Sequence, residues 1–215
     1  MSTPTVGRML RSSARRPFLL GFSAVVALGV MTGCSEDEKA APDPAPTPIA
    51  SLNTVEMELP RIEFCQLVSD SAVEDALGGK PASDSSYGNG EELEVEGVGK
   101  DVVHEIGCSW TGESGNTARA WVFARPVNTE FARSVIASGK ETEGCRTVAG
   151  PPYGKPASTQ LCQLDDGEQR VRHAGLFGQT WLTCDLAAAD AQPGALRDRA
   201  DSWCSEVANA LNTAR

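Results

Sequence analysis

Residues 161–186 read LCQLDDGEQRVRHAGLFGQTWLTCDL, and this stretch decides the fold class. Residues 161–164 and 169–173 flank the sequence Asp-Asp-Gly-Glu. Asp-Gly between two such runs predicts a β-hairpin, because Gly accepts positive φ. Residues 180–186 read as a further strand. We therefore expect these strands to belong to an antiparallel sheet.

Further elements on both sides of this stretch complete the predicted fold. Residues 106–110 and 118–123 predict paired strands across a turn at 112–116. The sequence also predicts three helices. The first covers 69–77 and is capped by Ser69 or Ser71, with a capping box of Ser71 and Glu74. The second runs from Asn128 to Gly139 with Phe131, Val135 and Ile136 on one face, and the third begins at Pro193 and has a buried stripe of Leu196, Ala200, Trp203, Val207 and Leu211. The prediction is a single α+β domain, an antiparallel sheet with helices packed on one face.

The first 33 residues predict an export signal. Four arginines precede an apolar run of 15 residues at 17–31, and no acidic residue occurs before Glu36. A transmembrane helix needs about 20 apolar residues, so a secretory leader fits this run better than a permanent span.

The end of this leader resembles the bacterial lipobox, in which small residues precede the cysteine that becomes the first residue of the mature protein. The sequence here is Met31-Thr32-Gly33-Cys34. Met31 stands where Leu is usual and has a similar volume. The resemblance implies that Cys34 carries acyl chains, palmitate among them, and each buried CH₂ contributes about 0.8 kcal/mol. We expect the lipid bilayer to be the partner of Cys34 and the protein to lie on the extracytoplasmic face of the cell membrane.

Net charge excludes several other classes of partner. The 215 residues carry −10, and removal of residues 1–33 takes away four arginines and no acids, which changes the charge to −14. Nucleic acids select surfaces rich in Lys and Arg, and so do anionic lipid surfaces. We therefore expect no nucleic-acid partner and no attachment to the membrane through basic charge.

Residues 34–60 predict a tether between Cys34 and a folded domain over 61–215. Prolines alternate with other residues at 42–48, which favours extended polyproline geometry of about 3.1 Å per residue. A spacer that lifts the domain off the membrane and a disordered tail have the same composition, so both interpretations stay open.

Six cysteines remain when Cys34 is set aside, and an even number in an exported chain implies disulfides. Six cysteines allow fifteen connectivities. Joining sequence neighbours favours the pairs Cys65–Cys108, Cys145–Cys162 and Cys184–Cys204. The chain has no Cys-x-x-Cys motif and its cysteine spacings are wide, which disfavours a metal site. We expect neither a metal nor a cofactor.

Several of these features together resemble an actinobacterial lipoprotein family catalogued as a domain of unknown function. The resemblance spans roughly residues 60–212 and rests on the lipobox, the tether and three motifs: Cys65-Gln66-Leu67, Leu77-Gly78 at a helix end, and Cys108-Ser109-Trp110 on a strand. Cys184 with Cys204 on a terminal helix is also similar to extracellular sensor domains of actinobacterial receptor kinases. The resemblance implies an α+β envelope domain in which Cys65 pairs with Cys108, and it implies no reaction.

We find no catalytic constellation in the sequence. His104 and His173 are the two imidazoles, and G-x-S-x-G, S-x-x-K and H-E-x-x-H motifs are missing. A surface or strand role is favoured for each histidine. No catalytic residue is therefore predicted.

Two segments could carry a binding function. Glu92, Glu94 and Glu96 would share one face of a strand and could attract Ca²⁺, but a solvated acidic region within a mobile loop at 80–100 is favoured. Residues 150–156 read GPPYGKP and predict a stiff loop in which Tyr153 could be an exposed recognition residue. A plain long connection is an equal alternative.

These observations favour a non-enzymatic envelope lipoprotein that binds a small ligand or an envelope protein. The alternative is a cell-envelope hydrolase, which requires a cleft that holds a histidine, an acid and a hydroxyl in steps of about 3 Å. A substrate-binding subunit of a transporter is disfavoured, because such proteins usually need two lobes.

Overall fold

The computed structural model describes residues 48–95, 99–164, 167–189 and 191–214. The predicted leader, Cys34 and most of the predicted tether lie outside these ranges. Glu96 and the first two residues of the predicted hairpin turn, Asp165 and Asp166, also lie outside them. Within these ranges, no helix combines the length and the hydropathy needed to cross a membrane.

Three α-helices and nine strands make up most of the described chain, together with short 3-10 helices at Ile49–Ser51 and Cys65–Leu67. The elements are α1 (Asp70–Leu77), β1 (Pro81–Tyr87), β2 (Glu92–Val95), β3 (Gly99–Val102), β4 (Glu105–Gly112), β5 (Thr117–Phe123), α2 (Thr129–Gly139), β6 (Cys145–Val148), β7 (Ala157–Gln163), β8 (Gln169–Phe177), β9 (Thr180–Ala188) and α3 (Pro193–Thr213).

Seven of these strands form one antiparallel sheet in the order β1-β4-β5-β9-β8-β7-β6, and β2 pairs with β3 as a separate hairpin. β9 is the central strand, and all nine of its residues are buried. The predicted α+β class with an antiparallel sheet is confirmed. The predicted strands at 106–110, 118–123, 169–173 and 180–186 lie within β4, β5, β8 and β9, and the predicted strand at 161–164 overlaps β7 but extends one residue beyond its end.

Two helices, α1 and α3, cover one face of this sheet. The predicted stripe of α3 is buried throughout and packs against the inward residues of β9. Trp203 meets Trp110 edge to face, with ring centroids 5.3 Å apart. The helix α2 differs from the predicted arrangement: it packs on the opposite face, where Ala132 contacts a small cluster around Trp181. The sheet is therefore covered on both faces at this end.

Three disulfides hold the domain together, and they join the pairs favoured from the sequence. Cys65–Cys108 ties the 3-10 helix before α1 to β4, and Cys184–Cys204 ties the central strand to α3. Cys145–Cys162 joins directly paired residues of β6 and β7. Each such bond contributes about 2–4 kcal/mol to the free energy of unfolding.

Local capping of the helices follows the predicted residues with one correction. The Ser69 hydroxyl accepts from the amide of Ala72, and Gly78 ends α1 in the left-handed conformation, with φ of 74°. Since Ser69 is the cap, Ser71 lies inside the helix and the predicted capping box with Glu74 is wrong. The Asn128 side chain accepts from the amide of Phe131, as predicted for α2.

The predicted mobile loop over 80–100 is wrong for most of its length. Residues 81–87 form the edge strand β1, paired with β4, and residues 92–102 contain the hairpin of β2 and β3. Six of the seven residues of β1 are exposed, so this strand has no apolar alternation by which sequence could reveal it.

The described chain packs against the core earlier than the predicted domain start at Arg61. Ile49 is 1% exposed, Leu59 is buried, and the hydroxyl of Thr54 donates to the carbonyl of Pro152. The isolated apolar residues of this segment follow no regular period, so sequence analysis assigned them to the tether.

Candidate functional site

A buried carboxylate at the centre of the sheet binds arginines from both neighbouring strands. Asp185 on β9 is fully buried and pairs in register with Arg119 of β5 and Arg172 of β8. Arg119 donates through Nε and Nη2 to the two carboxylate oxygens, at 2.9 Å each. Arg172 donates to Oδ2 at 3.1 and 2.9 Å, and Nε of Arg170 lies 3.8 Å from the same oxygen. One buried carboxylate thus forms ion pairs with three arginines.

This arrangement determines the protonation of the cluster. Burial acts to raise the pKa of Asp185, but the positive charges of Arg119 and Arg172 outweigh burial and hold that pKa below its ordinary value. Burial lowers the pKa of Arg170, and Asp185 offsets this only in part. Asp185 is therefore ionised at neutral pH, and Arg170 is less stabilised as a cation than Arg119, whose pKa is raised.

Aromatic rings continue this face of the sheet beside the arginines. The guanidinium carbons of Arg172 and Arg119 lie 5.3 and 6.0 Å from the ring centroid of Trp121, within cation–π range. The hydroxyl end of the Tyr87 ring, on the edge strand, lies against Gly107, where a Cβ would come within 2.4 Å of it. Burial raises the pKa of Tyr87 to about 12, and nearby Glu105 adds to the rise.

A cavity of about 170 Å³ lies between α2 and this face of the sheet. Aromatic side chains from β5 and β9 and aliphatic side chains from α2 and β8 form its apolar wall, which consists of Trp121, Phe123, Trp181, Val135, Ile136 and Ala174. Five side chains give it a polar rim: Glu105, Ser158, Gln160, Arg172 and Thr183. An apolar pocket with a few convergent polar groups is the usual form of a small-molecule site.

Glu105 is the least satisfied group of this cavity. The carboxylate is half-buried at the start of β4, yet it makes no hydrogen bond or ion pair with any described residue. Burial raises the pKa of Glu105, and the charge of Arg172 moderates the rise. A desolvated carboxylate without a partner costs free energy, so the site gains when something donates hydrogen bonds to Glu105.

The two histidines lie in different surroundings. His104 is exposed, whereas His173 is fully buried on the α3 face of β8. Nδ1 of His173 lies 3.0 Å from Oγ1 of Thr159, and Nε2 lies 2.7 Å from a carboxylate oxygen of Asp201 without the alignment of a hydrogen bond. The backbone at Gly150 covers the Thr159 hydroxyl, since a Cβ there would lie 2.0 Å from it. The three groups are close together but closed to substrate.

The loops singled out from sequence contribute little to this site. Tyr153 is fully buried, and its hydroxyl donates to the carbonyl of Cys204. It is therefore not the exposed recognition residue that the sequence allowed. Glu92 and Glu94 are exposed on β2, and the described residues contain no cluster of three side chains suited to a metal ion.

Sequence reasoning missed the cluster around Asp185. Two features of the sequence carried the signal. One is a charged residue, Asp185, inside the apolar run of β9, and the other is the pair Arg170 and Arg172, two residues apart on β8. Side chains two apart share one face of a strand. Their convergence on Asp185 depends on the strand order, in which β9 lies between β5 and β8.

Comparison with solved structures finds similar chains. The chain is similar to the extracellular domain of PknH from Mycobacterium tuberculosis, with a TM-score of 0.47 and 10% sequence identity. The match covers 74% of this chain and 99% of that domain. No protein-family model and no curated protein sequence matches the chain.

Proposed function

We propose that this chain is a lipid-anchored envelope protein whose domain binds a small molecule in the cavity between α2 and the sheet. The observation that carries the proposal is the half-buried carboxylate of Glu105, which lacks a partner among the described residues and faces an aromatic wall. The three disulfides agree with an extracytoplasmic location, because such bonds persist in oxidising compartments.

The membrane attachment rests on acylated Cys34 and residues 1–33 as its export signal. Ile49 packs against the core, and about fifteen residues of sequence separate it from Cys34, a length that would span at most roughly 45 Å if it were fully extended polyproline. Mass spectrometry of membrane-extracted protein should find acylated Cys34 as the first residue. An intact N-terminal Met1, or a Cys34→Ala variant that stays in the membrane fraction at an unchanged level, would contradict this attachment.

Binding in the cavity is tested by filling it. We expect a chemically diverse set of small metabolites to contain at least one compound that raises the melting temperature of the chain. Ala174→Phe places a ring in the cavity and should abolish that shift. Ala137→Phe, on the exposed side of α2 and outside the cavity lining, is the matched control and should retain it. Binding that survives Ala174→Phe would place the ligand elsewhere.

The hydrolase alternative has one observation in its favour, the approach of Thr159, His173 and Asp201. A nucleophile must reach its substrate, and Thr159 is 5% exposed beneath the backbone at Gly150. We therefore expect no turnover of cell-wall substrates by the purified chain. Turnover that His173→Ala abolishes would favour the hydrolase instead.

A further inference from the structure

The hydrogen-bonding groups of the cavity between α2 and the sheet restrict the class of its ligand. Glu105 has both carboxylate oxygens available as acceptors. Arg172 uses Nε and Nη2 for Asp185, which leaves Nη1 as a donor. Gln160 donates its amide nitrogen to the carbonyl of Gly139, which leaves its amide oxygen as an acceptor. The rim therefore offers both donors and acceptors to a ligand.

The charges of the rim disfavour a ligand with a net charge. An anion would meet the unpaired carboxylate of Glu105. A cation would be repelled by Arg172 and Arg119. These two guanidinium groups already lie over Trp121, so the ring is not available to attract another cation. Like charges in a partly desolvated site repel strongly. A neutral ligand with hydroxyl groups has no such conflict.

The wall of the cavity favours a ligand with an apolar face as well as polar edges. Trp121, Phe123 and Trp181 form a continuous aromatic wall, and the rings of Phe123 and Trp181 have centroids 6.4 Å apart. The volume of about 170 Å³ is below the roughly 300–1,000 Å³ of sites that enclose a drug-sized molecule. A single ring fits this space, and the open side of the cavity leaves room for substituents.

We propose that the cavity binds one ring of a neutral saccharide. The C–H face of the sugar lies against Phe123 and Trp181, its hydroxyls donate to Glu105, and a ring or hydroxyl oxygen accepts from Arg172. This inference rests on the proposed function, because it names the ligand class of the same cavity.

The experiment is saturation-transfer NMR on the full chain in detergent. The probes are glucose, galactose, mannose, arabinose and N-acetylglucosamine, and the counter-probes are glycine, acetate and methylammonium. We expect at least one sugar to bind and none of the counter-probes. Glu105→Ala should weaken sugar binding at least tenfold without lowering the melting temperature, because Glu105 makes no hydrogen bond or ion pair with a described residue. Glu94→Gln, on the exposed face of β2, is the control and should bind as the parent chain does.

The outcomes separate this inference from the function on which it rests. Sugar binding lost in both Glu105→Ala and Ala174→Phe supports both. If no sugar binds while another compound binds and is displaced by Ala174→Phe, the saccharide inference is overturned and the cavity remains a binding site. If a counter-probe binds with the same dependence on Glu105, the ligand is charged and the inference is wrong. If no compound of any class depends on Ala174, the proposed function fails as well.

Discussion

Removal of the negative charge of Asp185 should be among the most destabilising single changes in this domain. Asp185→Asn keeps the side-chain size but leaves Arg119, Arg170 and Arg172 facing one another without the buried carboxylate between them. Loss of one partner of a buried ion pair costs about 3–5 kcal/mol. The arginine side chains are 33%, 20% and 24% exposed, so water hydrates them in part. We therefore expect a loss near the lower bound, about 3 kcal/mol.

Urea unfolding followed by circular dichroism measures this loss. At neutral pH, about 3 kcal/mol corresponds to a fall in melting temperature of roughly 6–12 °C for a domain of this size. The pKa of Asp185 in the fold lies below its unfolded value. Its stabilisation is therefore present above about pH 4 and is lost as the pH falls through the folded-state pKa. The difference between the parent chain and Asp185→Asn should narrow over that range.

Two controls make the test specific to the cluster. Asp84→Asn changes an exposed aspartate on β1 and should alter the free energy of unfolding by no more than about 0.5 kcal/mol. Arg170→Met in the Asp185→Asn background removes one uncompensated cation and should recover part of the loss. A loss below 1 kcal/mol for Asp185→Asn, or a difference that does not change between pH 7 and pH 3, would refute the reasoning.

Two further predictions concern Gly107 and the two tyrosines. Gly107→Ala places a Cβ 2.4 Å from the ring of Tyr87 and should lower the free energy of unfolding, measured in urea, by about 1–3 kcal/mol. Gly79→Ala is the control, because a Cβ there has no atom within 4 Å. An equal loss in Gly79→Ala would contradict the steric explanation. The chain has two tyrosines, and burial raises the pKa of Tyr87 to about 12 and that of Tyr153 well above its ordinary value. At pH 11 the folded chain should therefore show about a tenth or less of full tyrosinate absorbance, whereas guanidinium-unfolded chain titrates near pH 10. Because unfolding restores the ordinary tyrosine pKa, the fold should lose stability as the pH rises above about 10, and half-ionisation of the folded chain near pH 10 would contradict the raised values.

Elements with a strong local period were accessible from the sequence. The stripe of α3 repeats at helical spacing over five residues, and Asn128 and Gly78 mark helix ends by chemistry that depends on a few neighbouring residues. Pairing of the cysteines also followed sequence order. Elements without such a period were missed: β1 consists of exposed polar residues, and the segment at 49–59 contributes isolated apolar residues.

The candidate site was not accessible in the same way. Glu105, Trp121 and Arg172 lie on three different strands, and Gly139 closes the cavity from α2. Each residue taken alone has an ordinary place in a strand or a helix end. Side chains so distant in sequence meet only because β4, β5, β9 and β8 are neighbours in the sheet.

The amino-acid sequence alone determined the α+β class and the helix ends, and it predicts the leader with Cys34, because each depends on contiguous residues or on overall composition. Tertiary structure decided that α2 packs on the second face, that His173 is buried, and that one carboxylate receives three arginines. These depend on strand order and register, which place residues distant in sequence, such as Arg119 and Asp185, 66 positions apart, within hydrogen-bonding distance. Long-range pairing of this kind leaves no periodic trace in a single sequence.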